Sequence, residues 1–131
     1  SDMFHLTNNS KSLFIDDVKG FLDNNDIRYV ENFSMTGKSQ LITHYDFIIA
    51  HSKTAKERII SVINNMDTNA AKAMIFSWND TQDNRPDSQL YAFIQNTDNK
   101  VSDNAIRAIE KYGIKPAYWS ERENYITELS A

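Results

Sequence analysis

The 131-residue sequence contains no cysteine, only two prolines and only three glycines. Without cysteine the chain cannot form disulfides or thiolate zinc sites, and it has no cysteine nucleophile; this fits a reducing compartment. It lacks any apolar run near the ~18 residues of a membrane-spanning helix, and its polar N-terminus lacks a signal-peptide core. The sequence therefore predicts a cytoplasmic protein that does not enter a membrane.

The sequence also lacks an excess of positive charge, since its net charge is −4. Affinity for phosphate backbones is mostly cationic, so a dedicated nucleic-acid coat is disfavoured, although one local patch could still contact nucleic acid. The length and an apolar fraction of 40% suit one soluble domain. We expect that domain over residues 12–122, with 1–11 as a linker or cloning remnant and 123–131 as a C-terminal tail.

Helix-like and strand-like patterns alternate along the first half of the chain. Phe14, Val18 and Leu22 lie at helical spacing after Ser12, a suitable N-cap, which predicts a helix from residue 12. Residues 27–35 and 40–50 are rich in β-branched and aromatic side chains. They predict two strands of an antiparallel hairpin, joined by a turn at Gly37-Lys38-Ser39.

The middle of the chain predicts a second helix followed by two more strands. Thr54 and Glu57 match the capping-box pattern, which indicates a helix over residues 54–66. The nearly continuous apolar run 73–80 is typical of a buried central strand, and 89–96 is its expected antiparallel partner.

The last elements are a helix over residues 103–112 and a strand over 114–120. Pro116 has no amide proton, so this last strand is expected at an edge of the sheet. The resulting order, α-β-β-α-β-β-α-β, predicts an α+β fold. It should contain a mixed, largely antiparallel sheet of about five strands with helices packed on it.

Gly37-Lys38-Ser39 resembles the end of a phosphate-binding loop. Such a loop needs a glycine where Asn32 stands and a helix after the serine, whereas a strand is expected here. The sequence therefore favours a hairpin turn in which Gly37 supplies a positive φ. From that turn Lys38 could still contact a phosphate as a point charge.

Two acids, Asp46 and Asp80, raise the possibility of a metal site. Asp is costly to bury unpaired, so Asp46 faces water, pairs with Arg28 or His44, or binds metal. Metal-dependent phosphodiesterases of the PD-(D/E)xK type hold Mg²⁺ with two strand acids and place a lysine two residues after the second.

In this sequence Gln82 stands where that lysine should be. One hypothesis is therefore a metal-dependent nuclease or a degenerate, inactive relative. Asp46 and Asp80 would ligate the metal, and Lys38 or Gln82 would orient water. Mg²⁺ would be its cofactor; the alternative below expects none.

The hypothesis that the residues favour is a non-catalytic binding or regulatory module. Its partner would be another protein or its own N-terminal domain, with nucleic acid less favoured by the charge. The edge-strand pair Trp119 and Arg122 suits a partner-binding anchor. The expected binding residues are Lys38, His44, Arg85, Trp119 and Arg122.

Several segments spread over residues 13–122 form a further pattern: "VKGFLDNNDIRY", "TGKSQLITHYDFIIA", "TAKERIISVINNM", "IFSWNDTQDNRPDSQLYAF" and "YGIKPAYWSER". Together they resemble a known bacterial and phage family, named domain of unknown function eighteen twenty-nine. The resemblance implies a C-terminal domain that follows another uncharacterised domain, often in a mobile-element setting, with residues 1–11 as interdomain linker. It supplies no activity.

Overall fold

One five-stranded sheet organises the chain in a computed structural model that describes the backbone from Asp2 to Ala131 and the side chains from Ser10 onward. The strands are β1 (Val30–Thr36), β2 (Ile42–Ile49), β3 (Glu57–Ile63), β4 (Ser88–Ile94) and β5 (Lys115–Tyr118). The helices are α1 (Asp2–Asn24), α2 (Thr68–Thr81), α3 (Asp103–Lys111) and α4 (Ile126–Ser130), with 3-10 segments at Gln82–Asn84 and Trp119–Tyr125.

The sheet order β1-β2-β3-β4-β5 combines two kinds of pairing. Strands β1, β2 and β3 form an antiparallel meander, whereas β3, β4 and β5 run parallel. Parallel neighbours need a crossover connection, and α2 and α3 supply the two crossovers. The predicted α+β class and mixed five-stranded sheet are confirmed, with as many parallel pairings as antiparallel ones.

Helices cover both faces of the sheet. On one face, here called the α1 face, Phe14 and Val18 of α1 lie in one buried cluster with Ile60 and Phe93 of the sheet. On the other, the α2 face, helices α2 and α3 form a cluster with Ile59 of β3. Because neighbouring residues of a strand point to opposite faces, Ile59 and Ile60 belong to different clusters.

Two of the sequence-based assignments are wrong: the predicted helix contains a strand, and the predicted strand is part of a helix. Residues 54–66, predicted as a helix, contain β3, and residues 73–80, predicted as a strand, lie within α2. Ser52 Oγ, at 3.3 Å, accepts the Thr54 amide in a turn, so no capping box forms. The cap belongs to Asp67, whose side chain accepts the Ala70 amide at the start of α2.

Burial explains the exchange. Strand β3 is rich in isoleucine and is buried on both faces between two neighbouring strands. Helix α2 buries Ala71, Met74 and Trp78 at helical spacing, whereas Phe76 on its outer side is 55% exposed. The apolar run of α2 is therefore one-sided, and the expected antiparallel pairing of 73–80 with 89–96 is absent.

Helical structure extends beyond both expected limits of the domain. Helix α1 begins at Asp2 rather than after Ser12, and residues 123–131 contain α4, whose Leu129 is fully buried on the α1 face. Strand β5, with Pro116, lies at an edge as predicted. None of the described helices combines the length and apolar character needed to cross a bilayer.

Candidate functional site

Asp80 holds the turn between β1 and β2. Its backbone carbonyl accepts the Lys38 amide at 2.9 Å, and its carboxylate accepts the Ser39 amide at 2.8 Å and the Ser39 hydroxyl at 2.7 Å. Asp80 is only 8% exposed, so these bonds satisfy both carboxylate oxygens away from bulk water. We name Gly37, Lys38, Ser39 and Asp80 the turn clamp.

Gly37 is required by close packing and not by its backbone conformation. The prediction of a positive φ at Gly37 is wrong, because Gln40, with φ of 75°, takes the left-handed position in this turn. A Cβ added to Gly37 would lie 1.8 Å from Asp80 Oδ2 and 2.9 Å from the Asp80 carbonyl oxygen. Only a residue without a side chain allows Asp80 to approach the turn.

The loop after α2 lies against the same turn. Asn84 donates to the Thr36 carbonyl at 2.8 Å, and Lys38 lies 3.2 Å from Asp83 in an exposed ion pair. The Arg85 guanidinium stacks over the Phe33 ring, 4.7 Å from its centroid. The structure therefore brings Lys38 and Arg85, two of the predicted binding residues, to neighbouring loops.

Asp46 lies where the strand alternation of β2 breaks. Tyr45 contacts Trp78 and Thr81 on the α2 face, whereas Phe47, two residues later, lies on the α1 face. At this break the Asp46 carboxylate accepts the Val62 amide at 2.7 Å. Burial raises the pKa of Asp46, while the bond from Val62 and the charge of Lys11 lower it.

The described partner of Asp46 is thus a backbone amide, rather than Arg28 or His44. His44 Nδ1 instead lies 2.6 Å from Ser34 Oγ on the exposed side of the hairpin. Gln82, the other polar residue considered for the metal hypothesis, donates to the Asn79 side chain at 3.3 Å.

Among the side chains that the structure describes, Asp46 and Asp80 have no hydrogen-bond partner in common. Asp46 bonds to β3 near Lys11 of α1, and Asp80 ends α2 in the opposite layer. The β3 partner of Asp46 is Val62, and its neighbours Ser61 and Ile63 are neither acids nor lysines. Within residues 10–131, no group of three or more His, Asp or Glu is placed to hold a metal. The nuclease hypothesis stays a prediction.

Replacing Asp46 with asparagine keeps an acceptor for the Val62 amide but removes the titrating group. The folded-state pKa of Asp46 is raised above its ordinary value of 3.8, so its contribution is fully present below 3.8 and is lost as the pH rises through the raised pKa. We expect the melting temperature of D46N, relative to wild type, to increase between about pH 3 and about pH 7.

The matched control is Asp46→Ala, which removes the acceptor and should cost about 1–3 kcal/mol at neutral pH. Thermal melts of the three proteins across the pH series give the comparison. A D46N difference that does not change with pH would contradict the assigned burial of this carboxylate.

Trp119 and Arg122 lie on the α1 face, apart from the turn clamp. The Trp119 ring meets Phe14, Phe21 and Phe93 with centroids 5.5, 6.0 and 6.4 Å away. Arg122 stacks over Trp119 at 4.2 Å and donates to its carbonyl oxygen at 2.9 Å. These contacts use the indole ring for packing between α1 and the sheet.

A cavity of about 600 Å³, which the sequence reasoning missed except for Arg85, opens where β3 and β4 begin. We call it the loop-end cavity; residues 51–57 and 84–88 line it. Its floor is fixed, because Glu57 forms an ion pair with Arg85 at 2.8 Å and accepts the Ser88 hydroxyl at 2.7 Å. Both Glu57 oxygens are therefore occupied.

The rim of this cavity is locally cationic in a protein of net charge −4. The loop His51–Lys56, "HSKTAK", carries a histidine and two lysines without an acid, and all its residues except Ala55 are exposed. The lining contains two acids. Glu57 is paired with Arg85, and Asp87 lies on the wall opposite the loop. A charge count along this connection would indicate the rim, but the capping-box pattern places residues 54–56 at the start of a helix.

Comparison with known proteins identifies a family and a similar fold. A sequence model described as "Domain of unknown function DUF1829" matches residues 37–122. None of the curated proteins matches the chain.

A solved structure described as "Crystal Structure of Protein of Unknown Function AF1548" is similar in fold. Its TM-score is 0.61 at 16% identity, over 82% of this chain. The chain spans 59% of that protein's length. At this identity the likeness shows the fold alone, whereas the family match covers most of the chain. The chain belongs to the DUF1829 family of domains of unknown function.

Proposed function

We propose that the chain is a non-catalytic binding module whose loop-end cavity takes an acidic segment of a protein partner. The observation that carries this proposal is the acid-free loop His51–Lys56, exposed above a cavity of about 600 Å³. That volume lies within the roughly 300–1,000 Å³ range of ligand-binding clefts. Lys53 and Lys56 project charge at the rim, where an arriving carboxylate meets it first.

A fixed floor and an exposed rim suit recognition of an acidic side chain. Glu57 holds Arg85 and Ser88 by hydrogen bonds, and Phe33 stacks against Arg85. The guanidinium has five N–H donors, so donors remain beyond the one used toward Glu57. A carboxylate bound between Arg85 and Lys53 would form charge-assisted hydrogen bonds, which are stronger than neutral ones.

The charge distribution favours a protein partner over nucleic acid. Binding a phosphate backbone needs many cations, and this protein has 18 acidic against 14 basic residues. The family resemblance implies a place at the C-terminus of a larger bacterial or phage protein. In that setting the acidic segment would come from its own N-terminal domain or from a separate protein.

A hexaglutamate peptide labelled with a fluorophore tests this proposal by anisotropy at low ionic strength. The double variant Lys53→Ala, Lys56→Ala should bind it about tenfold more weakly, because two charge pairs of roughly 0.5–1 kcal/mol each are lost. Added salt should also weaken peptide binding by the wild-type protein, because the exposed cationic rim is screened by ions.

The matched control is Lys100→Ala, Lys111→Ala, which removes two exposed lysines that do not line the cavity. It should leave the affinity unchanged. Equal affinities of the two double variants would overturn the proposal. So would tighter binding of a single-stranded oligothymidine than of the peptide, which would instead favour a nucleic-acid partner.

A further inference from the structure

The loop-end cavity carries charges of both signs on neighbouring walls. Lys53 and Lys56 lie on the wall that precedes β3, and Asp87 lies on the wall that precedes β4. All three residues are exposed. The parallel ladder pairs Glu57 with Ser88 and so holds the two walls next to each other. The cavity is therefore bipolar, whereas the proposed function uses its cationic wall alone.

These three charges have no counter-charge of their own. Among the side chains that the structure describes, Lys53, Lys56 and Asp87 form no ion pair. Glu57 and Arg85, which also line the cavity, are paired with each other at 2.8 Å. The lining thus divides into one internal ion pair and three charges that are available to a ligand.

The backbone of the cationic wall is held by a turn. The Ser52 amide donates to the Ala55 carbonyl at 2.8 Å, and Ser52 Oγ accepts the Ala55 amide at 3.2 Å. A serine hydroxyl that bonds to the backbone a few residues ahead stabilises such a turn. Lys53 lies inside the turn and Lys56 follows it directly. The turn therefore fixes where both lysines leave the backbone.

The acidic wall is also held in place. Asp87 lies between Pro86, whose ring restricts its own φ to about −65°, and Ser88, whose hydroxyl donates to Glu57 at 2.7 Å. Glu57 also binds Arg85, two residues before Asp87. Because one carboxylate holds the chain on both sides of Asp87, this acid keeps its position relative to the other wall.

Two fixed walls impose a spacing on the charges of a ligand. A sphere of the cavity's volume is about 10 Å across, a distance that about three residues of extended chain span. A segment whose acid meets the lysines can therefore place a base near Asp87 when that base lies a few residues away. A uniformly acidic segment brings a like charge toward Asp87, which is unfavourable.

We infer that the loop-end cavity selects a partner segment in which an acidic residue and a lysine or arginine lie a few residues apart. This inference rests on the proposed function and adds the second charge that the partner carries. Lys53 and Lys56 pair with the acid, and Asp87 pairs with the base. Asp87 is thus a specificity residue, because it attracts the mixed segment and repels an all-acidic one.

Two fluorophore-labelled, C-terminally amidated peptides, EEGGKK and EEGGQQ, test this inference by anisotropy at low ionic strength. They differ only in the charge of the last two residues. Wild type should bind EEGGKK about two- to fivefold more tightly than EEGGQQ, the gain expected from one exposed charge pair. Asp87→Asn should lose most of this preference, and it should bind hexaglutamate more tightly than wild type does.

Asp98→Asn is the matched control, because it removes the same charge from an exposed residue that does not line the cavity. It should keep the wild-type preference, which separates a local effect of Asp87 from the net charge of the protein. Equal binding of the two peptides by wild type, or equal preferences in the two variants, would overturn the inference.

The hexaglutamate measurements distinguish this outcome from failure of the proposed function. Wild type that binds hexaglutamate through Lys53 and Lys56 but does not prefer EEGGKK retains the proposed function and loses only the inference about Asp87. If the two lysines do not contribute to hexaglutamate binding, the proposed function is wrong and the inference is wrong with it.

Discussion

Gly37→Ala is expected to destabilise the fold by about 3 kcal/mol, the upper range for forcing extra atoms into a packed site. The added Cβ would sit 1.8 Å from Asp80 Oδ2, so the turn or the end of α2 has to move. That movement breaks the bonds from Ser39 to the carboxylate, and the buried acceptor then loses partners at further cost. Urea unfolding at neutral pH measures the loss as a lower midpoint.

Gly20→Ala is the matched control, because it makes the same chemical change within α1, about one turn before its end. A Cβ there has no described atom within 4 Å, and alanine is the better helix former, so a gain of up to about 1 kcal/mol is expected. The two glycines should therefore shift the midpoint in opposite directions. Midpoints that move by similar amounts in the same direction would show that the clamp does not constrain Gly37.

A double-mutant cycle separates the cost of the Cβ–carboxylate clash from any other cost of replacing Gly37. In an Asp80→Ala background the carboxylate is gone, and the nearest remaining obstacle is the Asp80-position carbonyl at 2.9 Å from the added Cβ. Gly37→Ala should then cost at least 1 kcal/mol less than in wild type, of order the coupling expected between contacting residues. Additive effects would contradict the direct contact.

Trp119→Ala should also cost about 3 kcal/mol, the lower end for truncating a large aromatic, because Trp119 is half-buried. Its indole contacts three rings that join α1 to the sheet, at centroid distances of 5.5 to 6.4 Å. Removal leaves Phe14, Phe21 and Phe93 facing a void. Thermal and urea unfolding report the loss of stability.

Two variants complete this comparison. Arg122→Ala removes a cation stacked on Trp119 and should cost about 0.5–1 kcal/mol. Phe76→Ala removes an aromatic residue that is 55% exposed on α2 and should cost less than Trp119→Ala by about 2 kcal/mol. If Trp119→Ala were as stable as Phe76→Ala yet lost a bound partner, the expected anchor role of Trp119 would be supported.

Sequence patterns predicted the structure correctly where a short segment determines its own conformation. The β1–β2 hairpin follows from two β-rich runs around a turn, and the edge position of β5 follows from Pro116. The exchange of helix and strand between 54–66 and 73–80 has another origin. Both segments are apolar, and their burial by distant elements, two-sided for β3 and one-sided for α2, decides the structure.

The candidate sites depended on pairings that a local pattern does not encode. The loop-end cavity forms because β3 and β4 are parallel with Glu57 opposite Ser88, which brings residues 51–57 beside 84–88. The hydrogen bond of Asp46 to Val62 depends on the register of β2 against β3. The sequence pattern places Asp80 at the end of a strand, whereas its bonds to the turn depend on α2 ending beside that turn.

The sheet changes from antiparallel to parallel at β3, and this affects the order in which a growing chain can assemble. The meander joins neighbours in sequence, so its loops close at small entropic cost and it can form as soon as β3 is synthesised. Strand β4 follows only after the segment from Asn64 to Asp87. Until then the nascent chain presents an unpaired edge of β3, apolar on both sides, of the kind that associates with other chains.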